Sequence, residues 1–312
     1  MRAAILHEYG EPPRLGDFDE PAPGEGRIVV DVQAAGLNPV DLAMASGSFY
    51  AGSPPLPCVA GREGVGRAAD GTLVYFDRAV EPYGSFAERA PVESSRAIEL
   101  PVHLDPALAT CFGIAGMAAW LALDWRAELR AGETVLVLGA SGVVGQIAVQ
   151  AARLMGAGRV VAAARSDDGL QRARELGADA VVPIGRVDDL ALAFRESCGD
   201  GPDVVVDPVW GEPAAAALDA CRARGRLVQI GQSASSHSSI ASADVRGKLL
   251  SILGHTIFLA PAEVRRDAYR RMCEHGARGE LRVEIERVPL EGAAVAGRRQ
   301  GSAPHRKLVI VP

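Results

Sequence analysis

The chain has 312 residues, of which 48% are hydrophobic and 23% are charged, and its formal net charge is −6. These values predict a globular protein of about two domains with a substantial core. The mild acidity and the lack of basic runs argue against nucleic acid as a partner, and no apolar stretch is expected to reach the ~18 residues that span a bilayer.

Residues 1–100 are rich in glycine and proline and contain several short apolar runs. The run at 1–7 predicts a first strand and has neither the apolar core nor the cleavage site of a signal peptide. Turn residues separate four further predicted strands, which lie at 28–33, 64–68, 72–76 and 85–90. This pattern predicts a small, mostly antiparallel β-domain.

From about Pro106 the pattern changes to one of alternating helices and strands. Residues 106–123 have few charges and many alanines, as expected of a buried helical pair. Strands are then predicted at 134–138, 160–164, 180–182, 203–207, 226–230 and 249–253, with helices between them at 145–155, 168–176, 188–197 and 213–222. This alternation predicts an α/β fold with a doubly wound parallel sheet.

The segment after Gly254 changes again, to a predicted helix at 262–274 and short strands at 283–289 and 307–311. We expect this tail to rejoin the first domain. The predicted domains are therefore 1–105 with 255–312, and an inserted domain at 106–254.

A glycine-rich turn joins the predicted strand at 134–138 to the helix that follows it. Strand, glycine turn and helix together deliver backbone N–H groups and a helix N-terminus to a pyrophosphate. With both flanks in place, the turn predicts dinucleotide binding; an ordinary structural turn is the alternative. The predicted phosphate-binding residues are Gly139, Ala140, Ser141, Gly142, Val143, Val144 and Gly145.

The residue that ends the second strand of this sheet discriminates between cofactors. An acidic residue there binds the ribose 2′-hydroxyl of NAD, whereas a basic residue accommodates the 2′-phosphate of NADP. This chain has Arg165 followed by Ser166, which favours NADPH. Asp167 or Asp168 could instead bind the ribose and admit NADH, and an arginine that only ends the strand in solvent is the other alternative.

Later strands of the sheet also end in candidate cofactor residues. Asp207 ends one strand, and Gly231 with Gln232 follows the next, where cofactor edges lie in open sheets. Trp210 is interpreted equally as a packing residue or as a substrate contact.

Five scattered cysteines without C-x-x-C spacing predict a reducing, cytoplasmic compartment without disulfides. The six histidines, among them His103, show no spacing that suggests a metal site.

Six short motifs, taken in order, identify a family. The chain resembles the medium-chain dehydrogenase/reductase superfamily, and within it the zinc-free quinone oxidoreductase branch, over essentially its whole length. The motifs are Gly36-Leu-Asn-Pro-Val-Asp41, Gly61-Arg-Glu-Gly-Val-Gly66, Gly84-Ser-Phe-Ala-Glu88, Gly116-Met-Ala-Ala-Trp120, the glycine-rich turn and His305-Arg-Lys-Leu-Val-Ile310.

The resemblance implies a GroES-like catalytic domain built from both chain ends, with a Rossmann domain inserted and the active site in the cleft. It also implies a homodimer that pairs the Rossmann domains edge to edge through 249–253. A covered strand in a monomer is the alternative interpretation of that apolar run.

The resemblance further implies that the protein binds no zinc or other metal. Zinc-dependent relatives use a cysteine and a histidine at positions that hold Asn38 and Arg62 in this chain. An amide oxygen is a poor zinc ligand and a guanidinium is none. Cys111 falls where a third ligand often lies, but we expect it to be a small buried apolar side chain.

Hydride transfer without a Lewis acid suits acceptors such as quinones and α,β-unsaturated carbonyl compounds. Asn38 is the first candidate for a polar group beside the nicotinamide, with an Asx turn before Pro39 as the alternative. Tyr50 either donates its phenol to a substrate oxygen or only covers the cleft. Lys307 matches a lysine that lies near the cofactor in relatives, unless it is merely solvated.

Two charged neighbours of these residues are expected to act structurally. Asp41 is interpreted as ordering the Asn38 loop, and Arg62 as forming a salt bridge with Glu63 in preference to a substrate contact.

The leading functional hypothesis is an NADPH-dependent, zinc-independent reductase of a small-molecule quinone or enone. One alternative is an enoyl reductase acting on a specific metabolite, for example in polyketide tailoring. The other is a non-catalytic NADPH-binding protein on the same scaffold.

Overall fold

The computed structural model describes residues 1–101, 104–302 and 304–312. It divides into two compact units, Met1–Ile114 with Tyr269–Pro312, and Ala115–Ala268. Both boundaries lie further along the chain than the sequence suggests. One reason is that the helix beginning at Pro106 packs on strands of the first unit.

The strands include eight in the N-terminal segment, six in the second unit and two near the C-terminus. They are β1 Arg2–Leu6, β2 Arg14–Asp17, β3 Arg27–Gly36, β4 Cys58–Val59, β5 Glu63–Ala68, β6 Leu73–Phe76, β7 Arg89–Glu93, β8 Ile98–Glu99, β9 Thr134–Leu138, β10 Arg159–Ala164, β11 Ala180–Pro183, β12 Val204–Asp207, β13 Arg226–Gln229, β14 Ser251–Gly254, β15 Ile285–Pro289 and β16 Lys307–Val311.

The α-helices alternate with strands mainly in the second unit. They are α1 Pro39–Ala45, α2 Pro106–Cys111, α3 Met117–Leu121, α4 Val143–Leu154, α5 Asp167–Glu175, α6 Leu190–Ser197, α7 Gly211–Ala220, α8 Ser242–Gly247, α9 Ala262–Ala277 and α10 Ala293–Gly301. Short π-helical stretches follow α2 and α3, at Phe112–Gly116 and Ala122–Arg126.

The first unit is mostly β and is built from both chain ends, as predicted. Its larger sheet has the order β15-β16-β3-β5-β6-β8, with β7 also paired to β3, and a smaller sheet has the order β2-β1-β4. Alternate residues of β3 and β16, such as Val30, Val32 and Leu308, form the core between these strands and their neighbours. The C-terminal strand thus lies beside β3, which positions Lys307 next to the end of that strand.

The second unit is a six-stranded parallel sheet in the order β11-β10-β9-β12-β13-β14. The chain moves outward from β9 in one direction and then from β12 in the other, so the predicted doubly wound sheet is confirmed. All five residues of β9 are buried, as expected of a central strand covered on both faces. Cofactors bind at the carboxyl edge of such a sheet, where the strand order reverses between β9 and β12.

Two predicted elements differ from the structure in an informative way. The strand predicted at 85–90 lies at Arg89–Glu93, because Phe86 is held instead by single hydrogen bonds to Ala4 and Ala60. The helical pair predicted at 106–123 contains a break at Gly113, which has φ −66° and ψ −120°.

One helical segment of the described chain, Pro106–Arg126, is long and apolar enough to cross a membrane by length and composition, contrary to the expectation from sequence. Its most apolar window has a mean hydropathy of 1.7, and 78% of that window is buried inside the structure. The segment is therefore packed mostly inside the protein, and its apolarity reflects that packing.

Candidate functional site

The glycine-rich turn at 139–145, here called the nucleotide turn, connects β9 to α4 at the carboxyl edge of the parallel sheet. Gly139 has φ +60°, and a Cβ there would lie 2.8 Å from Val209 Cγ1 in the loop after β12. Gly142 is the N-cap of α4, and no side chain caps the first turn of this helix. The N–H groups of that turn lack intrahelical acceptors, which is the arrangement that binds an anion.

The glycines of the nucleotide turn differ in the space around them. A Cβ at Gly145 would lie 2.5 Å from both Ala140 Cα and Gly139 O, so this position permits close contact between helix and turn. A Cβ at Gly142 would meet nothing closer than Gly139 O at 3.5 Å. Open space therefore lies beside an uncapped helix N-terminus, and these residues fit a nucleotide diphosphate. Ser141 is buried, and its carbonyl accepts a 2.8 Å hydrogen bond from Gln146 Nε2.

The end of β10 carries an exposed arginine and a helix cap. Arg165 is exposed, and Ser166 caps α5 by accepting the Gly169 N–H at 3.2 Å. Asp167, which could have bound a ribose, is held by both terminal nitrogens of Arg186 at 2.9 and 2.7 Å. This pairing lowers the pKa of Asp167 and raises that of Arg186. Two arginines thus lie where the cofactor ribose is expected.

Asp207 holds the loop that lies against Gly139. Its Oδ1 accepts the N–H groups of Val209 at 2.9 Å and Trp210 at 2.8 Å. Burial raises the pKa of Asp207 to about 6, and its buried Oδ2 has no hydrogen-bond partner among the described residues. Trp210, at φ 59°, packs beside the core of the second unit.

Gly231 and Gln232 follow β13 at the same edge. A Cβ at Gly231 would lie 2.8 Å from Pro208 O, so the two loops are in close contact. Gln232 is exposed. The nucleotide turn, Asp207 and Gly231 are therefore brought together along one edge of the sheet, as the sequence predicts.

In the first unit, the Asn38 loop enters α1. The Asn38 N–H donates a 2.7 Å hydrogen bond to Asp41 Oδ2, and Pro39 occupies the first turn of the helix. Burial raises the pKa of Asp41 to about 7, and the nearby Glu63 carboxylate adds to this effect. Asp41 thus orders the Asn38 loop, as interpreted from the sequence.

Asn38, Glu63, Tyr75 and Lys307 form a buried polar group, here called the Glu63 cluster. Lys307 Nζ donates to Asn38 Oδ1 at 2.6 Å and to Glu63 Oε1 at 2.9 Å. Asn38 Nδ2 donates to Glu63 Oε1 at 2.7 Å and to Gly36 O at 3.1 Å. The Tyr75 hydroxyl donates to Glu63 Oε2 at 3.1 Å.

This geometry changes the interpretation of two candidate residues. Lys307 is 2% exposed, so the alternative of a solvated lysine is wrong. Its ammonium is bonded inside the first unit, and both hydrogens of the Asn38 amide are used there as well. Asn38 and Lys307 are parts of one buried network.

The structure corrects the expected salt bridge between Arg62 and Glu63. Glu63 instead accepts from Lys307, Asn38, Tyr75 and the Ile114 N–H. Burial lowers the pKa of Arg62, while the carboxylates of Asp77 and Asp41 oppose that shift. Arg62 lines a pocket in the first unit, and one of its terminal nitrogens lies 3.7 Å from Met44 Sδ.

Tyr50 is 78% exposed, and its ring lies 4.7 Å from that of Phe49. A phenol this exposed is accessible to a small-molecule acceptor, which keeps both interpretations of Tyr50 open.

Within the described residues, no group of three or more His, Cys, Asp or Glu side chains could hold a metal ion. His103 lies outside the described residues. Cys111 is fully buried, and burial raises its pKa to about 12, so it is an inert apolar side chain as expected. The absence of bound metal stays a prediction.

Sequence reasoning missed Arg186 and the central position of Glu63. Arg186 lies 19 positions after Asp167 in the chain, and it reaches Asp167 only because β10 and β11 pair in the sheet. Glu63 lies inside the motif Gly61-Arg-Glu-Gly-Val-Gly66, and a carboxylate within a glycine-rich run was the available signal.

A family model described as zinc-binding dehydrogenase matches residues 143–273, a range that excludes Asn38 and Arg62. A quinone oxidoreductase of Rattus norvegicus is 31% identical over 277 residues, which cover 84% of this chain and 82% of the relative. The chain belongs to the medium-chain dehydrogenase/reductase superfamily.

Within this superfamily the chain is quinone oxidoreductase-like. The quinone oxidoreductase of Thermus thermophilus, whose structure was solved alone and with NADPH, is 31% identical, with a TM-score of 0.86 and full coverage of both chains. A mycocerosic acid synthase-like polyketide synthase of Mycolicibacterium smegmatis is 30% identical over 95% of this chain, which covers 14% of that protein. The two units are thus the GroES-like and Rossmann domains of an oxidoreductase with an NAD(P)-type cofactor.

Proposed function

We propose that this protein is an NADPH-dependent, zinc-independent reductase that transfers hydride to a quinone or an α,β-unsaturated carbonyl compound. The observation that carries the proposal is the nucleotide turn with an uncapped α4 N-terminus, next to two arginines: Arg165 at the end of β10 and Arg186 in the loop after β11. Guanidinium groups bind phosphate through charge-assisted hydrogen bonds. Of the two carboxylates that could bind the ribose instead, Asp167 is already paired with Arg186, and Asp168 is exposed on the next position.

The residues have distinct proposed roles. The nucleotide turn binds the diphosphate, and Arg165 and Arg186 bind the 2′-phosphate. When bound, the reduced nicotinamide supplies the hydride. Tyr50 donates a hydrogen bond to the acceptor oxygen on which charge develops, because the hydrogens of Asn38 are already used within the Glu63 cluster.

The test is the loss of NADPH absorbance with a panel of quinones and enones, using the purified protein. We expect turnover with at least one acceptor and a marked preference for NADPH over NADH. Tight NADPH binding without turnover on any acceptor would support the alternative of a non-catalytic binding protein.

An enoyl reductase is the second candidate function. It is favoured by the 30% identity to the polyketide synthase-like protein over almost the whole of this chain. Enoyl thioesters in the same panel distinguish the two functions, since a true enoyl reductase would show a far higher kcat/KM for a thioester than for any quinone.

We also propose a cytoplasmic homodimer paired through β14. This strand ends the sheet of the second unit and exposes Ile252, whose exposed fraction is 39%. An open strand edge is a template for pairing with a second chain.

The cytoplasmic location is supported by the cysteines. All five are free and buried, which suits a reducing compartment.

A further inference from the structure

The Glu63 carboxylate is buried in the first unit and accepts four hydrogen bonds. It is 0% exposed, and each of its oxygens accepts two donors: Lys307 Nζ and Asn38 Nδ2 on Oε1, and the Tyr75 hydroxyl and the Ile114 N–H on Oε2. Such an acceptor fixes every group that donates to it, because a buried carboxylate that loses a donor is left undersolvated.

One group fixed in this way is the amide of Asn38. Lys307 holds its oxygen and Glu63 holds its nitrogen, so the side chain cannot flip or rotate without breaking a buried hydrogen bond. Asp41 holds the backbone N–H of the same residue. The loop that enters α1 is therefore set by the Glu63 cluster.

The chain first passes from one unit to the other between Ile114 and Ala115, here called the first crossing. The Glu63 cluster holds the residue on the near side of this crossing. The break at Gly113 frees the Ile114 N–H from the helical ladder, and that N–H donates to Glu63 at 2.6 Å. A Cβ at Gly113 would lie 2.1 Å from Glu63 Oε2, so only glycine permits this approach.

The second crossing lies between Ala268 and Tyr269, within α9, and Tyr269 is linked to the same carboxylate through Tyr75. The Tyr269 ring stacks on Tyr75 with 4.3 Å between centroids, and its hydroxyl donates to Ala109 O at 3.0 Å. Tyr75 in turn donates to Glu63.

We propose that Glu63 and Lys307 are positioning residues: they hold the Asn38 loop, the Ile114 N–H and, through Tyr75, the Tyr269 ring in fixed places within the first unit, an arrangement that hydride transfer requires. The kinetic part of this inference rests on the proposed reductase function, whereas the anchoring of the crossings does not.

The test uses Glu63→Gln, Lys307→Met and the double variant E63Q/K307M. Each single variant leaves an uncompensated buried charge, and the double variant removes both, so we expect melting temperature to fall in the singles and largely recover in the double.

Hydrogen exchange should nevertheless stay faster in the double variant at 36–45, 107–117 and 266–272. The reason is that a methionine at position 307 cannot donate to Asn38, and a neutral amide at position 63 binds its donors more weakly than a carboxylate does. We expect kcat to stay about ten-fold or more below wild type, with the Kd of NADPH within about two-fold.

The control is Arg2→Ala, which removes an exposed ion pair with Glu291 in the same unit, outside the three segments, and should change none of these quantities. Tyr75→Phe removes one hydroxyl and no charge, so it is expected to fold. It should speed hydrogen exchange at 266–272 and leave hydrogen exchange at 36–45 unchanged.

Two results would overturn the inference. The first is a double variant whose hydrogen exchange and kcat equal those of the wild type. The second is a Lys307→Met variant that loses much of its NADPH affinity while its hydrogen exchange is unchanged, because Lys307 would then be a cofactor contact. If the wild-type protein reduces no acceptor, the proposed function fails, and the exchange data still decide whether the crossings are anchored.

Discussion

The proposed preference for NADPH depends on two single residues, Arg165 and Arg186. The sequence indicates Arg165, because its position at the end of β10 follows from the strand pattern. Arg186 was not predicted, although it removes Asp167 from competition for the ribose by pairing with both of its oxygens.

Arg165→Ala should weaken NADPH binding by about ten- to a hundred-fold, the loss expected for a charge-assisted hydrogen bond, and change NADH binding little. Titration of both cofactors by fluorescence measures the two Kd values. Arg174→Ala, at an exposed position further along α5, is the control and should alter neither. Equal losses for both cofactors would refute a phosphate contact.

Asp41 gives a prediction for pH. Its folded pKa is raised to about 7 from 3.8, so the folded state holds a proton that the unfolded state releases between these values. The stabilisation from this proton is present below pH 4 and is lost as the pH rises through 7. The charged neighbours of Asp41 are Glu63, Lys307 and Arg62.

Between pH 5 and 8, wild-type protein should therefore lose about 2 kcal/mol of unfolding free energy relative to Asp41→Asn, which does not ionise. Urea denaturation at a series of pH values measures this difference. Parallel stability curves for the two proteins would show that Asp41 ionises normally.

The nucleotide turn is an element whose glycines have separable roles. Gly145 permits close packing of α4 on the turn, whereas Gly142 leaves space beside the helix N-terminus. Both positions look alike in the sequence pattern.

Gly145→Ala should destabilise the protein by about 1–3 kcal/mol, because the added methyl group meets backbone atoms. Gly142→Ala should leave the melting temperature nearly unchanged and weaken NADPH binding by occupying the open space. Calorimetry and thermal melts on the matched pair test this; unchanged NADPH affinity in Gly142→Ala would argue against a diphosphate at this place.

The sequence predicts a helical pair at 106–123 but does not show where the break between α2 and α3 lies. Alanine-rich, uncharged residues predict a buried helix in either case, and the helix breaks at Gly113 because Glu63 takes up the freed Ile114 N–H. That acceptor lies 51 positions away in the chain, beyond any local pattern.

The proposed dimer depends on the exposed edge of β14. Ile252→Glu should convert the proposed dimer to a monomer, because a charge on the edge strand opposes strand pairing. Light scattering after gel filtration measures the mass. Val295→Glu, at a similarly exposed apolar position on α10, should leave the dimer intact, and a monomeric wild-type protein would contradict the proposal.

The parallel sheet, its nucleotide turn and the mostly β unit were predictable from sequence, because strand periodicity, turn residues and helix caps act between near neighbours. The order of the motifs also identified the family. These features gave the cofactor class and most residues at the carboxyl edge of the sheet.

The Glu63 cluster depends on folding of distant segments. Lys307 bonds Asn38 across 269 positions of sequence, and whether this lysine is solvated or buried depends on β16 pairing with β3. Local patterns carry no information about such a contact, because burial and hydrogen bonding of a charged group are properties of everything that surrounds it.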